Sequence, residues 1–154
     1  MQPPPRLKVL LATLALTGCA GLTESWEAPE VVVTSIVPHE ISLERQTLGV
    51  GLRLRNPNDR TLPIKAMSYR LSLQGVELAA GGGKLERQIP AFGETETEVS
   101  LDANAAALAR MLPSLALSGG PWSYRITGTA TVAGIIPIPY RHTGTIDPSG
   151  IRGW

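Results

Sequence analysis

The stretch Leu48-Gly49-Val50-Gly51-Leu52-Arg53-Leu54-Arg55-Asn56-Pro57-Asn58 alternates aliphatic residues with small or basic ones, then stops on a proline between two asparagines. A period of two puts Leu48, Val50, Leu52 and Leu54 on one face of a strand and Gly49, Gly51, Arg53 and Arg55 on the other. The strand is therefore expected to pack on one side. A residue before proline is pushed out of the helical region, proline cannot continue a ladder, and asparagine side chains bond nearby backbone. Asn56, Pro57 and Asn58 should thus end the strand and fix a turn, a structural motif. Gly49 and Gly51 weaken the strand or admit a bulge, which leaves its register open.

The same period recurs outward from this strand. Tyr69, Leu71 and Leu73 alternate with Ser68, Arg70 and Ser72, while Trp122, Tyr124, Ile126, Ala130 and Val132 alternate with Ser123, Arg125, Thr127, Thr129 and Thr131. Thr95, Thr97, Val99 and Leu101 are expected to face inward, opposite Glu94, Glu96, Glu98 and Ser100. Further strands are expected at residues 31–37, 76–79, 85–89 and 138–146. Between them lie turn signals such as Gln74-Gly75, Gly81-Gly82-Gly83, Pro90-Ala91-Phe92-Gly93 and Ala133-Gly134. Seven to eight short strands at this spacing predict an all-β sandwich or barrel, of which the sandwich is the expected architecture. One short helix, at about residues 103–112, interrupts them. Asp102 or Asn104 is expected to cap it, Leu108, Met111 and Leu112 to form its packing stripe, and Pro113 to stop it.

Composition bounds the rest. The 154 residues suit one domain of ordinary size. Fourteen Lys plus Arg against thirteen Asp plus Glu lack the basic excess that binding to nucleic acid requires. The 16 Gly and 13 Pro show no three-residue period, which excludes collagen and agrees with a turn-rich β domain. A single cysteine, Cys19, excludes an internal disulfide.

Arg6 and Lys8 precede an apolar run at residues 9–16, too short for the ~20 residues of a membrane span, and small residues follow. This reads as a secretory signal. Leu16, Thr17, Gly18 and Cys19 resemble the bacterial lipobox, with a leucine three places before the obligatory cysteine. The resemblance implies a diacylglycerol on the Cys19 sulfur, cleavage before Cys19 by a lipoprotein signal peptidase that recognises Leu16, Thr17 and Gly18, and acylation of the new amino terminus. Each buried methylene contributes ~0.8 kcal/mol, so two or three acyl chains would hold the protein stably at a membrane. With Ala20 rather than aspartate after the cysteine, the resemblance implies the inner leaflet of the outer membrane, with the domain in the periplasm. Without residues 1–18, which hold Arg6 and Lys8, twelve basic side chains face thirteen acidic ones, a balance of −1.

The expected organisation is a signal peptide at 1–18, a lipidated polar tether at 19–30, a sandwich domain at 31–147 and a tail at 148–154. Trp26, in the tether, could rest on the domain or on the bilayer.

Read in order, the chain carries the strand ending in Asn56-Pro57-Asn58, then Leu62-Pro63-Ile64, Tyr69-Arg70-Leu71-Ser72-Leu73-Gln74-Gly75, Leu78-Ala79-Ala80-Gly81, Ile89-Pro90-Ala91-Phe92-Gly93, Tyr124-Arg125-Ile126-Thr127-Gly128 and Thr143-Gly144. Over about residues 31 to 146 this series resembles the late embryogenesis abundant type 2 family, whose core is the water stress and hypersensitive response (WHy) domain. The resemblance implies a fibronectin type III or immunoglobulin-like sandwich with one helix. It also implies a non-enzymatic role in desiccation or osmotic stress, with no cofactor.

The residue types able to carry chemistry read as structural. His39, Glu40 and Glu44 match no metal spacing, so no metal site is expected. Glu94, Glu96 and Glu98 share a face as a solvated, edge-protecting row would. Gly81-Gly82-Gly83-Lys84 lacks the Ser or Thr of a phosphate loop and reads as a flexible hairpin turn. No G-x-S-x-G elbow exists, and no catalytic residue is expected. Tyr69, Trp122 and Tyr124 read as core. The partners expected are the membrane, through the lipid on Cys19, and an unspecified envelope protein or lipid that an adaptor of this kind would bind. Neither oligomeric state nor a role for Trp154 is legible.

Overall fold

The computed structural model describes residues 25–117 and 119–147. Seven antiparallel strands and one helix follow in the order β1 (Glu30–Ile41), β2 (Gln46–Arg55), β3 (Leu62–Leu73), β4 (Val76–Ile89), β5 (Glu94–Ala103), α1 (Ala105–Leu117), β6 (Trp122–Val132) and β7 (Ile136–Ile146). Hydrogen bonding joins them as β1-β2-β5-β4-β3-β6-β7. The link between β5 and β4 spans only two residue pairs, Ala79 with Ala103 and Ala80 with Asp102. The sheet therefore folds over there into a three-stranded leaf, β1-β2-β5, and a four-stranded leaf, β4-β3-β6-β7. Its outer strands β1 and β7 come into contact on the other side. This is the expected all-β sandwich with one helix.

The alternation determines which side chains fill it. Leu48, Val50, Leu52 and Leu54 of β2 are buried, as are Tyr69, Leu71 and Leu73 of β3 and Trp122, Tyr124, Ile126, Ala130 and Val132 of β6. A fully buried leucine or isoleucine contributes about 1.5–3 kcal/mol, and these two inner faces form one continuous core. On β5 the inward series Thr95, Thr97, Val99 and Leu101 runs from half-buried to buried against an exposed glutamate row.

Three local expectations are corrected. Gly81, Gly82 and Gly83 are not a hairpin turn: they lie inside β4, which runs unbroken through both segments expected as separate strands. A Cβ on Gly81 would sit 3.2 Å from the carbonyl oxygen of Ser100 and against Leu101, so the glycine lets β4 approach β5 where the leaves join. Among the described residues the strands accordingly number seven, and they run 10 to 14 residues, longer than expected.

The helix begins and ends later than expected, and Pro113 lies within it. Asn104 is its cap: the side-chain oxygen accepts the N–H of Ala107 at 3.0 Å, and Asn104 N–H donates to Leu78 of β4. Leu108 and Met111 are buried, but Leu112 is exposed. Ala107 and the half-buried Leu115 take its place against the core. Ala107 and Leu115 each lie four residues from Met111, so the buried stripe runs through 107, 108, 111 and 115 and passes Leu112 by.

The glycines of β2 leave its pairing with β5 regular. The bulges occur instead on β1, between Val33 and Ser35 and between Pro38 and Glu40. The side chains of Thr34, Ser35 and His39 occupy the space that a Cβ on Gly51 or Gly49 would need. Small residues on β2 are thus matched to the extra chain of its neighbour.

Two turns show why their residues are there. Gln74 and Gly75 have φ of 49° and 81°, and Ala133 and Gly134 have 51° and 83°. Left-handed φ at both central residues suits the tight hairpins β3–β4 and β6–β7.

Candidate functional site

Asn56 and Asn58, expected to end a strand, are the two buried polar side chains of the domain among the described residues. Both donors of the Asn56 amide are used: Nδ2 reaches the carbonyls of Arg60 at 2.8 Å, Pro90 at 2.9 Å and Ile89 at 3.0 Å. Its Oδ1 accepts the Asn58 N–H at 2.9 Å and the Asn58 side-chain amide at 2.8 Å. The Asn56 N–H donates to Gly93, and the Phe92 N–H to Asn58. One asparagine therefore ties the end of β2 to the β4–β5 turn, supplying partners to carbonyls that burial would otherwise leave unpaired.

The second asparagine holds the segment that precedes the domain. Asn58 Oδ1 accepts the Glu27 N–H at 2.8 Å, and Nδ2 donates to the Glu27 carbonyl at 3.1 Å. Beside it, the Arg60 guanidinium lies 4.0 Å from the centre of the Trp26 ring and donates to the Ser25 carbonyl at 3.4 Å. Trp26, for which two resting places were open, lies half-buried on the domain. A cation over an indole contributes about 0.5–1 kcal/mol at a partly exposed site. The segment from Ser25 to Pro29 is bound to the sandwich. Leu16, Thr17, Gly18, Cys19 and Trp154 lie outside the described residues.

The residues weighed for chemistry have structural partners. His39 bridges β1 to β5 across Gly49, with Nε2 3.0 Å from Glu98 and Nδ1 3.4 Å from the Ser100 hydroxyl. Glu96 receives Arg53 at 3.0 Å, and Glu30 receives Arg55 at 3.7 Å. Among the described residues no three His, Cys, Asp or Glu side chains gather as a metal site, and no helix is long and apolar enough to cross a membrane.

The tyrosines are core, each used differently. Tyr124 lies over Gly144, its register partner, and its hydroxyl accepts the Val33 N–H at 3.2 Å, joining β6 to β1 across the closure. Tyr140 lies over Gly128, again its register partner, and donates to the Ser68 carbonyl at 2.7 Å. Tyr69 is buried and its hydroxyl has no hydrogen-bond partner among the described residues. Burial pushes the Tyr69 phenol up to about 12, with Arg87 pulling it back, and raises Tyr140 further.

Sequence reading missed two cavities on the outer side of the four-stranded leaf. One, of about 640 Å³, is flanked by Arg70 and Arg141 around Thr127. The next, of about 390 Å³, lies beside Arg125, Ser72 and Thr143. Alternation could place these residues outward, but only strand order brings β3, β6 and β7 side by side.

Residues 51–144 match the late embryogenesis abundant protein family. The chain belongs to this family. The match starts within β2 and ends within β7, so it holds the Asn-Pro-Asn turn, the helix and every residue around the two cavities except Thr145. Among solved structures, this late embryogenesis abundant chain is similar to the solution structure of an Arabidopsis thaliana protein. The TM-score is 0.59 at 17% identity, covering 79% of this chain and 83% of that one. At that identity the likeness is one of fold. The solution structure of a protein titled late embryogenesis abundant is similar at TM-score 0.46 and 21% identity, covering 77% of this chain and 70% of that one. A crystal structure from Archaeoglobus fulgidus is similar at 0.43 and 14%, covering 79% and 96%. No curated protein matches the chain.

Proposed function

We propose that this late embryogenesis abundant chain is a non-enzymatic lipoprotein of the bacterial cell envelope whose WHy-type sandwich protects envelope components during desiccation or osmotic stress. The family match over residues 51–144 carries this reading. The anchor rests on sequence: Leu16, Thr17 and Gly18 lead into Cys19, the one cysteine of the chain. A diacylglycerol there, with a second acylation, would hold the protein at the inner leaflet of the outer membrane, facing the periplasm. Five residues separate Cys19 from Ser25, and an extended chain covers at most ~3.6 Å per residue. The clamp of Asn58 on Glu27 would therefore keep the sandwich close to the bilayer. Protection would come from weak contacts of the domain surface, without a cofactor or a catalytic residue.

Survival after drying and after hyperosmotic shock tests the proposal. Loss of the gene lowers survival, and a Cys19→Ala copy restores it poorly; a deletion strain that survives several such stresses like its parent contradicts the role.

The two cavities on the outer leaf favour a second reading, an envelope adaptor that binds one partner. Cross-linking of the membrane-extracted protein separates the two. A single stoichiometric partner favours the adaptor, whereas protection of a heat-labile enzyme with no partner favours the stress role.

A further inference from the structure

The two leaves carry opposite charge. Strands β3, β4, β6 and β7 hold six basic and two acidic side chains, a balance of +4, whereas β1, β2 and β5 hold two basic and six acidic ones, a balance of −4. A near-neutral composition therefore conceals a polarised molecule. On the acidic leaf Arg53, Arg55 and His39 are engaged by glutamates. On the basic leaf Arg70 has Glu77 at 3.3 Å, but Arg125 and Arg141 make no ion pair among the described residues.

Register gathers these arginines. Arg70 pairs with Thr127, and Thr127 with Arg141, so the two arginines flank one hydroxyl on adjacent strands. With strands ~4.8 Å apart, their backbones stand about 10 Å from each other. Arg125 lies two residues along β6 on the same outward face, so the three arginines form a triangle and the two cavities follow one another along β6. Their walls are otherwise rich in Ser and Thr hydroxyls, including Ser68 and Thr129. Guanidinium groups bind carboxylates and other oxyanions through two parallel hydrogen bonds, and hydroxyls serve the neutral oxygens of a ligand.

We propose that this outer groove binds an extended acidic polysaccharide lying along β6, its anionic groups meeting Arg70 and Arg141 at the first cavity and Arg125 at the second. Two observations set that class apart from a single nucleic acid strand and from a bilayer surface. A single nucleic acid strand is held by aromatic platforms, and no outward side chain of β3, β6 or β7 is aromatic, since Tyr69, Trp122, Tyr124 and Tyr140 are buried. The charges flank recessed cavities, which admit a chain and not a flat bilayer. The site stands independently of the anchor on Cys19.

Titration of the full chain with polygalacturonate, followed by amide chemical shifts and by calorimetry, tests the proposal. Thr127, Thr129 and Arg141 amides shift, those of β2 do not, and affinity falls as salt is added. The double variant Arg70→Gln with Arg141→Gln loses about tenfold or more in affinity. Arg53→Gln with Arg55→Gln, on the opposite leaf, keeps the parent affinity. Because shift mapping uses the parent protein, the test holds even if the double variant folds poorly. The proposal is overturned if shifts map to the acidic leaf or if the two double variants bind alike. Neutral dextran or oligothymidylate binding as tightly as polygalacturonate overturns it as well.

Discussion

Asn58 closes a two-bond ring with Glu27: its side-chain oxygen accepts the Glu27 N–H at 2.8 Å while its amide donates to the Glu27 carbonyl at 3.1 Å. A side chain thereby does what a strand partner would, extending the ladder to a segment that has not yet entered β1. Asn58→Ala should raise hydrogen exchange at the Glu27 amide at least about tenfold while leaving amides of β3 and β6 protected. Unchanged exchange at Glu27 would show that Trp26 and Arg60 hold the segment without it.

Asn56 is the costlier position, because its amide serves the carbonyls of Arg60, Ile89 and Pro90 at once. Each buried group left without a partner costs about 1–3 kcal/mol, so Asn56→Ala should lower stability by about 3 kcal/mol in urea unfolding. Asn56→Asp is isosteric yet sets a carboxylate against the same carbonyls. It should be less stable than the alanine variant at neutral pH and recover partly as pH falls and the carboxyl is protonated.

Two glycines a strand apart should respond in opposite ways. A methyl at Gly128 would overlap the Ser68 carbonyl oxygen and crowd the Tyr140 hydroxyl, whereas one at Gly83 meets nothing within 4 Å. Gly128→Ala should leave little folded protein. Gly83→Ala should raise the unfolding free energy by about 0.5 kcal/mol, since alanine gives up less backbone freedom on folding. A well-folded Gly128→Ala protein would mean that β3 and β6 yield more than their packing implies.

The buried phenols predict alkaline sensitivity. The Tyr69 phenol is pushed up to about 12 and Tyr140 is raised as well, against ~10 in an unfolded chain. Above pH 10 the unfolded state therefore holds fewer protons than the folded one. Stability is full below that point and falls as pH rises through about 12. Tyr69→Phe removes a hydroxyl that lacks a partner and should be neutral or stabilising by about 1 kcal/mol, with a smaller alkaline loss. Tyr140→Phe removes the bond to Ser68 and should cost about 1 kcal/mol at pH 7. Urea midpoints at pH 7 and pH 10.5 separate the two.

The residues that could be read without coordinates were those whose neighbours are set by period. Leu48 to Leu54, Tyr69 to Leu73 and Trp122 to Val132 each declare a face, and that face is the core. Gly81 to Gly83 misled because a glycine run serves a turn and a close crossing of strands equally well, and only the approach of β5 distinguishes them. Pro113 misled in a similar way: proline disfavours a helix locally, yet Leu115 beyond it has core to cover, and burial outweighs the lost hydrogen bond. The Asn-Pro-Asn turn was legible as a strand end, but its second task was not, because Glu27 lies 31 residues before Asn58. The arginine cluster was invisible for the same reason: Arg70 and Arg141 are brought to either side of Thr127 by strand order, which local pattern does not specify.

The proposed anchor is a lipid on Cys19, and the intact mass of the protein extracted from membranes tests it most directly. The predicted result is a chain that starts at Cys19, carries the added mass of acyl groups, and loses that mass in Cys19→Ala. A chain that keeps residues 1–18, or one cut elsewhere with no acyl mass, would contradict it.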